Sequence, residues 1–138
     1  MNREGSFFVF MRTAIFIDGA YLDWLQKEEF GNVHLDLKKL PTKLADGKEI
    51  LRTYYYHCLP YQSNPPTSDE QRRFSGAQRF YNFLSTLGRF QTRLGILALR
   101  GHDQKGEPIF VQKKVDILLG VDLALLSGKQ QISEAILL

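Results

Sequence analysis

The chain carries one cysteine, Cys58, in 138 residues. That excludes an internal disulfide and any zinc site built from several thiolates. With no neighbouring base and no C-x-x-C partner, Cys58 is expected to be a buried thiol at a strand end. His34, His57 and His102 lack metal-ligand spacing to one another, so each is expected to be structural or exposed. No phosphate loop, Gly-x-Ser-x-Gly elbow or His-Glu-x-x-His pair occurs. No run approaches the roughly 20 apolar residues of a bilayer span. The cluster Phe7–Met11 is short, is interrupted by Arg12, and leads into a core pattern rather than a small-residue cleavage site. A cytoplasmic protein with no membrane partner is therefore expected. Charge of one sign is also scarce: 18 Lys and Arg stand against 15 Asp and Glu, a net +3. Such a balance permits a polyanionic partner without demanding one.

What is present is the alternation of an α/β protein. Residues 1–12 read as an N-terminal extension, and residues 13–138 as one domain, a length suited to one core. Thr13–Ile17 is a continuous apolar run, the mark of a strand buried on both faces. Gly19 gives freedom to turn, and Tyr21–Glu29 reads as a short helix with Tyr21, Leu22, Trp24 and Leu25 inward. Asp36 is expected to cap a second helical segment carrying Leu37, Leu40 and Leu44, kinked or shortened by Pro41. Ile50–Tyr56 is an aromatic-rich strand, with Tyr54, Tyr55 and Tyr56 expected in the core, and Pro60–Pro66 is a loop. Ser68 and Gln71 form a candidate capping box for a helix whose inner face is Phe74, Ala77, Tyr81 and Leu84. A third strand runs from Phe90 to Ile96, Gly101–Gly106 is a loop, and Ile109–Val111 is a short extended piece. The strongest helix is Val115–Leu126, with Val115, Leu118, Leu119, Val121, Leu125 and Leu126 on a broad apolar face. Ala135–Leu138 is again apolar. Strands alternating with helices predict a mostly parallel sheet covered on both sides.

Three acids stand out. Asp18 ends the first strand, which in open α/β sheets is the edge where ligands bind. It serves equally well as a plain helix cap. Asp116 opens the last helix, where the helix dipole also favours an acid. Asp122 sits mid-helix among apolar residues, about 120° around the helix from Asp116. The two do not share a stripe, so Asp18 and Asp116 are the candidate metal ligands and Asp122 a supporting residue. Among the basic residues, Lys113 and Lys114 adjoin Asp116, while Arg72 and Arg79 lie seven apart on one helix face.

The motifs Phe16-Ile17-Asp18-Gly19-Ala20-Tyr21-Leu22, Tyr61–Thr67, and Lys114-Val115-Asp116 through Asp122 to Glu134–Leu138 resemble the NYN (LabA-like) domain family of the PIN-like nuclease superfamily. The resemblance runs from about Thr13 to the last residue. It implies a three-layer α/β/α sandwich with a mostly parallel sheet, and Mg2+- or Mn2+-dependent hydrolysis of single-stranded or structured RNA. Asp18, Asp116 and Asp122 match the family's acids by position, and Tyr21 stands where members often have Asn. The resemblance further implies continuation past Leu138 into a Gly-Asp-Ser-Asp-like segment and another helix. The C-terminal part of the domain is thus expected to be missing, leaving a weakened or inactive nuclease. Lys113, Lys114, Arg72 and Arg79 would hold RNA phosphates. The other reading is a non-catalytic RNA-binding or protein-interaction module. The uncovered apolar strand at Ala135–Leu138 predicts a homodimer.

Overall fold

The computed structural model describes residues 12–138; the extension expected over residues 1–12 therefore lies, Arg12 apart, outside the described residues. Strand β1 (Thr13–Asp18) is buried from Thr13 to Ile17, as an unbroken apolar run requires. It pairs in parallel with β2 (Ile50–Cys58) on one side and β5 (Glu134–Leu137) on the other. β2 pairs in parallel with β3 (Phe90–His102), and β3 turns back antiparallel onto β4 (Pro108–Lys113). The five-stranded, mostly parallel sheet has the order β4-β3-β2-β1-β5.

Alternation along the central strands divides the core in two. Ile15, Ile17 and Tyr55 pack with Leu22 of α1 (Gly19–Trp24), Ala45 of α2 (Leu40–Ala45), and Tyr81 and Leu84 of α3 (Ser68–Thr86). Ala14, Phe16, Tyr54 and Tyr56 pack with Val115 of α4 (Val115–Gly128), backed by Leu118, Leu119, Leu123 and Leu126. Phe16 and Tyr54, partners in the β1–β2 register, stack with ring centroids 5.2 Å apart. The tyrosines of β2 are core residues, as their strand context predicted.

Several local expectations are corrected. Of the four residues expected inward only Leu22 is buried; Tyr21 and Trp24 are half exposed and stack on each other outside, and α1 runs on as a π-helical turn over Leu25–Glu29. α2 is short, as Pro41 leads one to expect, with Pro41 in its first turn, where a missing N–H goes unnoticed. Asp36 caps the turn before that helix, accepting from Lys38 N–H at 2.9 Å. The expected loop at Gly101–Gly106 contracts to a hairpin turn, because β3 extends to His102 and pairs with β4. In α4, Val121 and Leu125 face solvent with Ile117, while Leu123 packs inward. A helix apolar on all sides gives periodicity no means of choosing its buried face.

The cap of α3 falls one residue before the expected pair. Thr67 Oγ1 accepts from Glu70 N–H at 3.1 Å, and the Glu70 carboxylate accepts from Thr67 N–H at 2.9 Å and from the Ser63 hydroxyl and N–H. The Ser63 hydroxyl, then the Thr67 N–H, pull the Glu70 carboxyl from its ordinary 4.5 to about 2. A carboxyl lowered on folding contributes stability above its unfolded value and loses it as pH falls through the folded one. The start of α3 should therefore loosen between about pH 4.5 and 2. Protection factors for amide exchange at residues 67–71, taken against the intrinsic rate at each pH, are expected to fall as pH drops through that window, and Glu70→Gln to remove that fall. Unchanged protection down to pH 2 would refute the role of the box.

Candidate functional site

Asp18 stands at the carboxyl end of β1, its N–H donating to the Leu138 carbonyl at 2.9 Å. Its Oδ1 accepts from Ala20 N–H at 3.1 Å and Tyr21 N–H at 3.2 Å, so Asp18 is the N-cap of α1. These bonds occupy one carboxylate oxygen and leave Oδ2 out of the cap. Gly19 is set by close approach more than by turning: a Cβ there would lie 2.6 Å from His57 Cδ2 and 2.7 Å from Tyr55 Oη.

Asp116 reaches the same edge by another route. β4 ends at Lys113, Lys114 takes a left-handed backbone (φ 71°), and α4 begins. A Cβ on Gly95 of β3 would meet Val115 Cγ2 at 2.6 Å, so the start of α4 rests on β3 at Gly95. Gly95 is the register partner of Cys58, the last residue of β2, just as Asp18 is the partner of Tyr56. Asp116 is exposed in the first turn of α4. Both candidates thus lie toward the carboxyl edge, Asp18 ending β1 and Asp116 opening α4 where that helix rests on β3; β2 lies between β1 and β3, and two strand spacings amount to about 10 Å.

Asp122 is tied elsewhere. It accepts from Arg93 Nε and Nη2, each at 2.9 Å, and from Tyr56 Oη at 2.9 Å. This bidentate, half-buried pair raises the Arg93 pKa, chiefly through the Asp122 hydrogen bonds; burial first, then Asp122, holds the Tyr56 hydroxyl above its usual range. Asp122 thereby clamps α4 to β3 and β2. Nothing in the strand that carries Arg93 marks its partner in the sequence.

The basic candidates come from different elements. Lys113 and Lys114 are exposed beside Asp116. Arg72 and Arg79 are exposed on α3, which packs on the other core cluster, and Arg72 pairs with Asp69 within its own helix. One pair escaped sequence reasoning altogether: His57 Nε2 lies 2.7 Å from Asp23 Oδ2. Cys58 N–H donates to His57 Nδ1 at 2.8 Å, so Nδ1 is the acceptor and Nε2 carries the proton given to Asp23. Cys58 itself is a buried free thiol whose pKa burial raises, in keeping with a structural role.

Among the described residues no group of three or more His, Cys, Asp or Glu side chains is arranged to hold a metal ion. Of the acids expected to ligate, Asp18 and Asp116 lie toward the carboxyl edge. Magnesium keeps several waters and is commonly held by one or two carboxylates; across about two strand spacings, one of these two could hold it directly and the other only through its waters. No helix among the described residues is long and apolar enough to cross a membrane. Comparison with protein-family models, with curated proteins and with solved structures finds no match to this chain.

Proposed function

We propose that the chain is a PIN-like NYN domain, a three-layer α/β/α sandwich whose chemistry is divalent-metal-dependent hydrolysis of RNA. The observation that supports this reading is that two acids distant in sequence, one ending β1 and one opening α4, both lie toward the carboxyl edge of one mostly parallel sheet. Ligands of open α/β sheets bind in the crevice at that edge. Asp18 and Asp116 would hold Mg2+ or Mn2+, which when bound neutralises phosphoryl charge and makes a coordinated water more acidic. Asp18 is held for this by its cap bonds, which fix its rotamer. Lys113 and Lys114 would hold the phosphates next to the scissile bond, and Arg72 and Arg79 would contact the strand further away. Asp122 acts indirectly: by clamping Arg93 and Tyr56 it keeps α4, and hence Asp116, against the sheet.

A specific observation favours a second reading, a non-catalytic RNA-binding or protein-interaction module. Asp18 already has an occupation as a cap, and the charge of Asp122 is neutralised by Arg93. The two readings separate in one experiment, RNA cleavage in manganese by the parent, Asp18→Asn and Asp116→Asn proteins. Cleavage lost in both variants supports the nuclease; cleavage retained in both removes the site. Metal-indifferent, salt-sensitive RNA binding without cleavage supports the module.

Self-association belongs to the same proposal. Leu137 on the edge strand β5 is 60% exposed, as is much of Ile117 on α4. Sedimentation is expected to show a dimer at high concentration, and a single monomer species there would remove this part.

A further inference from the structure

A cavity of about 530 Å³ opens between α1, α3 and β2, within the usual range for small-molecule sites. We propose that it binds a nucleobase bearing an exocyclic amine: adenine, cytosine or guanine. The proposal does not require the metal chemistry of the carboxyl edge.

The floor is polar and fixed. Tyr55 is 2% exposed, and its Oη has no hydrogen-bond partner among the described residues although the residue lines the cavity. Burial, with Asp23 adding to it, keeps that hydroxyl protonated, so it stands as a donor. His57 is held at both ring nitrogens, by Cys58 N–H and by Asp23. Asp23 gives Oδ2 to His57, which leaves Oδ1 as an acceptor on an oriented carboxylate. The rim is aromatic: Phe80 and Phe83 line the cavity and are 42% and 55% exposed. Phe80 meets Tyr55 edge-on, at 80° and 6.3 Å, which keeps one ring face from packing inward.

These features select a class of ligand. Exposed aromatic faces beside a cavity suit a flat ring, and base–aromatic stacking tolerates any base. The free Asp23 oxygen, with the Asp36 carboxylate also in the lining, selects N–H donors, which an exocyclic amine supplies. Uracil offers only an N–H placed between two carbonyl oxygens, which a carboxylate repels. Asp23 and Asp36 outnumber Lys38 in the lining, so a phosphate would remain outside while the ring enters. The base could come from a free mononucleotide or from an RNA strand; the chemistry recognised is the same.

The test is an amide NMR titration in EDTA, so that failure of the metal reading cannot affect it, using AMP, CMP, UMP and hexa-adenylate. Saturable shifts confined to Tyr55, His57, Asp23 and the Phe80–Phe83 turn are expected with AMP and CMP, and are weaker by about tenfold with UMP. Asp23→Asn, which turns an acceptor into a donor, and Phe80→Ala are each expected to weaken AMP binding about tenfold. Phe83→Ala, at the most exposed rim position, gives a similar loss with the least risk to folding. Hexa-adenylate binding at least tenfold tighter than AMP identifies an RNA strand as the source, and equal affinity identifies the free nucleotide. The proposal is overturned by no saturable shift up to about 10 mM, by UMP matching AMP, or by unchanged affinity in Asp23→Asn.

Discussion

Asp18→Asn is expected to lower manganese-dependent RNA cleavage on the order of a hundredfold or more while leaving the folding midpoint nearly unchanged. Two properties of Asp18 separate in this substitution. As a cap it accepts from Ala20 and Tyr21 N–H through one oxygen. Asparagine supplies an equivalent carbonyl oxygen and ranks beside aspartate as an N-cap, so α1 keeps its start. As the proposed ligand it would contribute negative charge, which the amide lacks. A hundredfold rate loss corresponds to about 2.7 kcal/mol of transition-state stabilisation, a plausible share for one of two carboxylates holding a cation at the reacting phosphate. Asp18→Ala would confuse the two effects, because the lost cap alone costs about 1 kcal/mol. Asp116→Asn is the matching experiment on α4. It surrenders only a first-turn dipole interaction of about 0.3–1 kcal/mol, so the fold again survives. A loss of cleavage in Asp18→Asn without one in Asp116→Asn would reduce Asp116 to an ordinary first-turn acid and break the two-carboxylate site.

The strands and helices of the parallel core were legible in the sequence because burial on both faces writes an unbroken apolar run, as in Thr13–Ile17. The spacing of Phe74, Ala77, Tyr81 and Leu84 identified α3, and Tyr81 and Leu84 are indeed fully packed. Failures arose where two local solutions overlap. Thr67–Glu70 and Ser68–Gln71 both satisfy the capping-box pattern, and the pair with the ionised carboxylate prevails because charge-assisted bonds are stronger. The length of β3 could not be read either, since its second half is a strand only by pairing with β4. In the site, single acids were visible but their partners were not. Arg93 with Asp122 and His57 with Asp23 come from separate elements brought together by the sheet and its covering helices. No periodicity within either segment encodes such a meeting. Asp122 did carry a signal, as a charge amid apolar residues, though not for what it binds.

Gly95→Ala should be among the most damaging single-methyl changes in the molecule, with a loss of about 3 kcal/mol and a fall of about 10 °C in melting temperature. The added Cβ would lie 2.4 Å from the Lys113 carbonyl oxygen, 2.6 Å from Val115 Cγ2 and 3.1 Å from Val115 N. Two of these three atoms are backbone, so no rotamer change relieves the clash. The comparable change at Gly19 meets only side-chain atoms of His57 and Tyr55, which can yield in part. Gly120→Ala is the control, since a Cβ there has no neighbour within 4 Å. In the middle of α4 it should stabilise by about 0.5–1 kcal/mol, because alanine loses less backbone entropy than glycine. The Gly95 clash falls on the segment that delivers Lys113, Lys114 and Asp116 to the carboxyl edge. Relief requires α4 to lift away from β3, and Asp116 moves with it while Asp18 does not. Cleavage by Gly95→Ala, measured at a temperature where the variant is still folded, should therefore drop by more than tenfold. Full activity per folded molecule would mean that the start of α4 has no part in the chemistry, whatever its effect on stability.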